Sequence, residues 1–394
     1  MSDGGISLSV LDLVPISSGS SAPEAIANTL DLARQAEALG YRRYWIAEHH
    51  LNPGVAGTSP ALIVTLVAGA TTTIRVGSGA VQLGHHTPLS VVEQFGIIDA
   101  VHPGRIDLGL GRSSFRRPPG TANGGPSTDL DRERGSDVAR RTERGLLIPA
   151  RFSLAGLLRS PRFALHKKLL QQPGAETPDY AEQIADILAL LEGTYRSADG
   201  VEAHIVPGEG ATVDIWILGS SGGQSARVAG ERGLPFAANY HVSPSSVLEG
   251  VEAYRAAFRP SARLDRPYVL VSADVVVGDD EEQARELATG YGLWVRSIRS
   301  GAGAIAFPTP QEAAGHEWTD DDLALVTDRV ETQIVGSAAT AADQLEVLVA
   351  ETSADELLIT TITHDHRDRV RSYQLLAEEW DRRAVSSTSG FHDT

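Results

Sequence analysis

A (β/α)8 barrel of the TIM type, in the α/β class, is the architecture predicted for this 394-residue chain. Two observations carry the prediction. Strand-like and helix-like segments alternate from one end of the chain to the other, and eight such pairs can be traced. Polar, chemistry-bearing residues then gather just past the carboxyl ends of the strands, where a barrel of this kind builds its site. A doubly wound open sheet in two domains is the alternative that alternation alone allows.

The first pair is a strand from Ile6 to Leu11 and a helix from Ala22 to Leu39. In that helix Ile26, Leu30, Ala33 and Leu39 recur near helical spacing, and Gly40 stops it. Arg43 to Ala47 is a short apolar second strand. Its helix runs from Ser59 to Ala70, with Ser59 as N-cap and Pro60 at the first helical position. Ile74 to Val81 is the third strand, and the helix from Pro88 to Val101 is entered through its proline. Ile106 to Gly111 is the fourth strand, and its helix follows only at Asp179 to Leu191. Strands at Ile215–Leu218 and Pro235–Asn239 precede helices at Gln224–Arg232 and Pro244–Phe258. The last two pairs are Tyr268–Val277 with Asp280–Arg296, and Glu356–Thr361 with Arg367–Arg382. Residues 1–394 are thus read as a single domain with two interruptions, at 113–178 and, smaller, at 300–322. A segment inserted after strand four lies over the carboxyl face, where it serves as a lid or substrate wall. A disordered or oligomerising loop is the other reading.

Composition limits the chemistry. With 42% hydrophobic and 22% charged residues the chain is globular, and its net charge of −17 argues against nucleic acid or an anionic membrane as partner. The charge is uneven: residues 112–168 hold 13 basic and 5 acidic side chains, a local net of +8. The absence of cysteine excludes thiol nucleophiles, disulfides and iron–sulfur clusters. Lys167 and Lys168 are the only lysines, which nearly excludes a Schiff base or a P-loop. The amino terminus lacks the basic and apolar regions of a signal peptide, and no apolar run is long enough to span a bilayer. A cytoplasmic location is expected.

The strand ends read as follows. Strand one ends near Asp12, strand two at Glu48-His49-His50, and strand three at Gln82, His85 and His86. Strand four ends at Gly111-Arg112, strand five at Gly219-Ser220-Ser221-Gly222-Gly223, strand six at Asn239-Tyr240-His241, and strand eight at Thr361 to His366. Histidine suits proton traffic at neutral pH, but two in succession at a strand end point to opposite sides. At most one of His49 and His50 therefore faces a central pocket; a loop pair bonded to backbone is the bland alternative. The strand-five end suits a phosphate, since Ser220, Ser221 and Ser225 supply hydroxyls, Gly222 leaves backbone N–H groups open, and a helix follows. Arg112 from the neighbouring strand adds a full charge.

The same residues satisfy Gly-x-Ser-x-Gly, so Ser221 could be a hydrolase nucleophile, with Asp274 or Asp365 and His364 or His366 completing a triad. No His-Gly-Gly segment supplies an oxyanion hole. The pairs His49/His50, His85/His86 and His364/His366 would hold a metal only if the fold drew one from each together. No carboxylate ligand is obviously placed beside them, and no metal is expected.

Five motifs, in order, carry a family resemblance. They are Tyr44-Trp45-Ile46-Ala47-Glu48-His49-His50, Val76-Gly77-Ser78-Gly79-Ala80-Val81, the run from Pro103 to Arg112, Ile217-Leu218-Gly219-Ser220-Ser221-Gly222, and the run from Glu231 to Phe236. Together they resemble the bacterial luciferase-like flavin monooxygenases, in the branch found beside polyketide biosynthesis clusters. The resemblance implies a barrel that binds reduced FMN delivered by a separate flavin reductase and lets it react with dioxygen. A flavin C4a-peroxide would then oxygenate a small organic substrate. It implies His49 as the catalytic histidine, and Gly79-Ala80 as a bulge under the isoalloxazine ring, often with a cis peptide; Gln82, at the strand-three end, is a further candidate for cofactor binding. Arg112, Ser221, Gly222 and Ser225 would hold the cofactor phosphate, to which the reading of the strand-five end adds Ser220. A homodimer is expected, and a deazaflavin-dependent oxidoreductase is the runner-up on the same barrel. Two departures stand out: Ser221 replaces a glutamate of the luciferases, and Thr87 replaces a histidine, with His86 one place earlier.

Overall fold

Closure of the sheet follows from the pairings of its first and last strands. The computed structural model describes residues 5–112, 138–153, 157 and 159–389, with side chains through 385. β1 (Ser7–Asp12) pairs in parallel with β2 (Arg43–Ile46) on one side and with β12 (Glu356–Thr360) on the other. Between them run β3 (Arg75–Ser78) with its short continuation β4 (Val81–Gln82), β5 (Ile106–Gly111), β8 (Asp214–Gly219), β9 (Phe236–Asn239) and β10 (Val269–Gly278). The ring order is β1-β2-β3-β5-β8-β9-β10-β12, all parallel, so the predicted (β/α)8 barrel is present.

Helices α1 (Ala22–Ala38), α2 (Pro60–Ala70) and α3 (Pro88–Val101) follow the first three strands near the expected bounds. Pro60 and Pro88 open α2 and α3, where a missing N–H costs nothing. α5 (Tyr180–Leu191), α6 (Gln224–Glu231) and α7 (Val247–Ala257) follow strands four to six, and α13 (His366–Ser389) follows strand eight.

Strand seven departs from expectation. The helix predicted over 280–296 is two helices, α8 (Glu281–Ala288) and α9 (Gly290–Arg299), joined at Thr289. After them come α10 (Pro310–Ala314), α11 (Asp320–Thr332) and a strand β11 (Ile334–Ser337) that pairs with the outer end of β10. The seventh helix of the ring is α12 (Ala338–Thr352), packed against α7 and α13, which the sequence reading passed over. Its core face is Ala341, Ala342, Leu345 and Leu348, and alanine carries little periodic signal.

The lumen is filled in layers. At the amino end Arg43 is buried between Asp107 (2.9 Å) and Glu356 (3.0 Å). Trp45 Nε1 donates to Asp107 at 2.9 Å, and Tyr268 donates to Glu356 at 2.9 Å. Above this layer Trp45 meets Trp216 edge-on at 5.1 Å. These layers fill the amino end of the barrel.

The mouth is roofed from strand seven. Tyr291, Trp294 and Val295 of α9, Phe307, and Val326 of α11 join the cluster of Trp45, Trp216, Leu218, Leu270 and Leu358. Backbone bonds Gly54 N to Ala304 O (2.7 Å) and Phe307 N to Ile16 O (2.8 Å) lace the loops together. A Cβ on Gly54 would lie 1.7 Å from the Ile305 carbonyl oxygen, so only glycine fits there. Of the segment inserted after strand four, 113–137, 154–156 and 158 lie outside the described residues. The rest forms the hairpin β6 (Arg140–Arg141) and β7 (Leu147–Ile148), and α4 (Pro161–Leu170). It rests on the same face: Tyr240 donates to Leu147 O (2.8 Å), Gln171 to Gly84 O (3.0 Å), and Arg162 to Leu51 O.

Candidate functional site

The segment after β2 divides as strand geometry requires, with Glu48 and His50 on one side and His49 on the other. Glu48 is buried and is the hub of its side. Its Oε1 lies 2.7 Å from His50 Nε2, 2.7 Å from His85 Nε2 and 2.9 Å from His86 Nε2. Its Oε2 accepts the Gln82 backbone N–H at 2.8 Å, and its carbonyl accepts from the Gln82 side chain at 2.7 Å. Burial alone would raise this carboxyl, but the imidazole donors win and hold it far below the usual range. Glu48 thereby ties the strand-two end to the strand-three end.

His49, on the other side, acts electrostatically on His241, which follows β9. Its backbone N–H is held by Gly57 O at 2.8 Å, while its Nδ1 is buried with no hydrogen-bond partner among the described residues. Burial lowers its pKa to about 4, against the opposing charge of Glu48, so the ring is neutral at pH 7. His241, beyond β9, sets its Nδ1 2.5 Å from Ser272 Oγ, and burial together with Arg329 and His49 drives its pKa well down. Within β10, Asp274 accepts from Tyr291 of α9 and from Arg329 of α11 (3.1 Å). Arg329 also bonds the Tyr291 hydroxyl at 2.7 Å. Burial raises the Asp274 carboxyl despite Arg329.

The peptide between Gly79 and Ala80 is cis and separates β3 from β4. Ala80 lies against Gly111 of β5: a Cβ on that glycine would be 3.1 Å from the Ala80 Cβ. Around the barrel, β8 ends at the Ser220–Gly223 turn, and Gly223 at the N-cap leaves α6 without a side-chain cap. Ser221 in this turn and Ser225 at the start of α6 are buried, and Ser246 donates to Ser220 O. Tyr180 joins it to β5, donating to Leu110 O at 3.0 Å beside Ser225, with the charge of Arg112 acting on it. Arg112 itself is exposed. Two carboxylates border the turn: Asp179, which accepts from Gln224 at 3.0 Å, and Glu249, whose Oε1 would be 3.0 Å from a Cβ on Gly222.

The residues present fit a phosphorylated flavin. An uncapped helix amino terminus, the buried Ser221 and Ser225, and Arg112, which with Ser225 acts on Tyr180, are groups that would receive its phosphate, and the buried Nδ1 of His49 has no hydrogen-bond partner among the described residues. The serine-hydrolase set is not assembled. His364 bonds Ser18 O (3.0 Å), His366 bonds Asp31 (2.8 Å), Asp365 accepts the Arg367 N–H (2.7 Å), and Asp274 is held by Tyr291 and Arg329. The condition set for a metal is met in part, since His50, His85 and His86 converge, and Glu48 is the carboxylate that the sequence reading did not place. Tyr291 and Arg329 were missed because neither lies at a strand end: Tyr291 is inside the helix expected over 280–296, and Arg329 follows the 300–322 interruption. Asp274 lies inside β10, level with the end of β12, and was weighed only for a triad.

Comparison with known proteins bears on the family and the fold. The sequence model of the family described as luciferase-like monooxygenase matches residues 6–134 and 159–356. The protein YvbT of Bacillus subtilis (strain 168) is 36% identical over 377 residues, covering 95% of this chain and 97% of that protein. A protein of Escherichia coli (strain K12) named luciferase-like monooxygenase is 33% identical over 376 residues, with 95% and 97% covered. The solved structure of apo-MsnO8 superposes with a TM-score of 0.75 at 28% identity, covering 96% of this chain and 98% of that one.

Proposed function

This chain belongs to the luciferase-like monooxygenase family, and from that premise we propose that it is the oxygenating half of an FMN-dependent, two-component monooxygenase. The observation that carries the reading is one mouth with two complementary ends: the anion cradle of Arg112, Ser221, Ser225 and the α6 amino terminus, and the buried Nδ1 of His49. When bound, reduced FMN supplies the electrons that activate dioxygen for transfer of one oxygen atom to an organic substrate. Arg112, Ser220, Ser221, Gly222 and Ser225 hold the phosphate; Gly79, Ala80 and Gln82 shoulder the ring. His49 holds or passes a proton at Nδ1, and its neutral ring accepts as readily as it donates. The roof of Tyr291, Trp294 and Phe307, with the segment inserted after strand four, keeps water from the reacting atoms.

The flavin reductase is a transient partner, dioxygen and a small organic molecule are the substrates, and the protein works in the cytoplasm. Among the described residues no helix is long and apolar enough to cross a membrane. A homodimer is proposed through α2 and α3, whose outer faces expose Leu62, Leu66, Ile97 and Val101.

Anaerobic titration with reduced FMN, reduced riboflavin and a reduced deazaflavin, followed by an oxygen pulse, tests the reading. A charge-assisted phosphate contact is worth about 1.5–3 kcal/mol, so FMN should bind roughly ten- to a hundredfold tighter than riboflavin. Binding of deazaflavin alone would move the assignment to hydride transfer without oxygen. Failure of every flavin to bind would overturn it.

A further inference from the structure

We propose that Glu48, His50 and His85 form a binding site for one divalent transition-metal ion of the zinc class, with His86 at its rim as a further donor. One ligand atom from each of Glu48, His50 and His85 lies within 4.8 Å of the other two. Three imidazole nitrogens crowd a single carboxylate oxygen, at 2.7, 2.7 and 2.9 Å. A carboxylate oxygen offers about two lone pairs, so it cannot accept three N–H donors equally well. One cation at the centre resolves the excess, because each imidazole then contributes a lone pair to it and the carboxylate oxygen does the same.

The supporting structure is also that of a metal centre. The other carboxylate oxygen is fixed by the Gln82 N–H at 2.8 Å, the kind of outer contact that orients a ligating carboxylate. The His85 side chain is 3% exposed, whereas those of His50 and His86 are 20% and 26% exposed, which leaves an entry path on one side. Two imidazoles and one carboxylate, with no thiol in the chain, suit Zn²⁺, Co²⁺ or Ni²⁺. Mg²⁺ and Ca²⁺ prefer all-oxygen shells and are disfavoured. His49, on the opposite side of the strand, is not a ligand, so the site is separate from the group that the proposed function assigns to the reactant. An ion here would clamp the strand-two end to the loop after β4.

The test uses the full chain, stripped with chelator and free of flavin, so its outcome is independent of the cofactor reading. Co²⁺ is titrated in, followed by visible absorption, and Zn²⁺ is titrated against a chromophoric chelator. One equivalent of Co²⁺ per chain is expected, with the d–d bands of a four- or five-coordinate nitrogen–oxygen site, displaced by Zn²⁺ and not by Mg²⁺. His50→Ala and His85→Ala should each weaken binding more than roughly tenfold, as loss of a ligand must exceed loss of an outer-shell partner. His204→Ala, at an exposed histidine beside Glu202 and Glu209, should leave it unchanged. Circular dichroism of each metal-free variant establishes that it is folded, and the part-exposed His50 gives a second variant should His85→Ala fail to fold. Absence of stoichiometric binding to the wild-type chain would overturn the proposal. So would equal affinity in wild type and folded His50→Ala; either result leaves Glu48 as a plain hydrogen-bond hub.

Discussion

Two neighbouring histidines have opposite surroundings because successive side chains of an extended segment diverge. His50 turns to Glu48, and His49 turns away from it, with a buried ring nitrogen that has no hydrogen-bond partner among the described residues and that the proposed function assigns to the reactant. His49→Ala should retain flavin affinity yet lower coupled product formation by roughly 10²–10⁴, with hydrogen peroxide rising to match. Product and peroxide measured in parallel check this; unchanged coupling would assign the proton to another group. The proposed function puts Arg112 at the phosphate end. Arg112→Ala should weaken FMN roughly ten- to a hundredfold and leave riboflavin unaffected, since only the phosphate meets the guanidinium. Fluorescence titration with both ligands separates the cases, and equal losses would place Arg112 away from the phosphate.

Among the elements, the roof is tied to the barrel by one buried trio. Asp274 on β10 meets Tyr291 on α9 and Arg329 on α11, so β10 and the two roof helices share one charge pair. Breaking a buried pair from one side strands the other charge, at a cost of about 3–5 kcal/mol. Arg329→Met should therefore lower the unfolding midpoint and speed proteolysis within 290–332, and adding Asp274→Asn should restore part of the loss. A second contact joins α1 to β3. Glu37, in the last turn of α1, accepts the backbone N–H groups of Thr72 (2.8 Å), Thr73 and Ile74 (2.9 Å). Although burial opposes it, these donors lower the Glu37 pKa from 4.5 to about 2. The folded value lies below the unfolded one, so this stabilisation is complete above about pH 4.5 and is lost as pH falls toward about 2. Glu37→Gln should flatten that part of the stability–pH curve, with urea midpoints across the range as the measurement. An unaltered slope would show that Glu37 does not contribute to it.

At the scale of the whole molecule, α2 and α3 leave an apolar stripe uncovered, with Leu62 and Val101 each 68% exposed and Ile97 55% exposed. Leu66→Lys with Ile97→Lys should convert a dimer to a folded monomer, read by sedimentation with the circular dichroism spectrum unchanged; a wild-type chain that sediments as a monomer would remove the dimer from the proposal. The barrel itself was legible in the chain, because seven of its eight helices and every barrel strand announce themselves through apolar runs, proline starts and glycine stops. The exception, α12, buries mostly alanine and leucine on a face too weakly patterned to stand out. The strand-end polar residues were legible too, since parallel topology sends every strand end to one rim. Their grouping was not. Nothing in the spacing says that His50, His85 and His86 would share the oxygen of Glu48, or that Tyr291 and Arg329, from two separate helices, would meet at Asp274. Periodicity is a local property of the backbone, so the sequence by itself determined the alternation, the rim and the candidate residues. Which of those residues touch depends on strand register, on the turn each loop takes and on the burial that follows, and only the tertiary structure decided that.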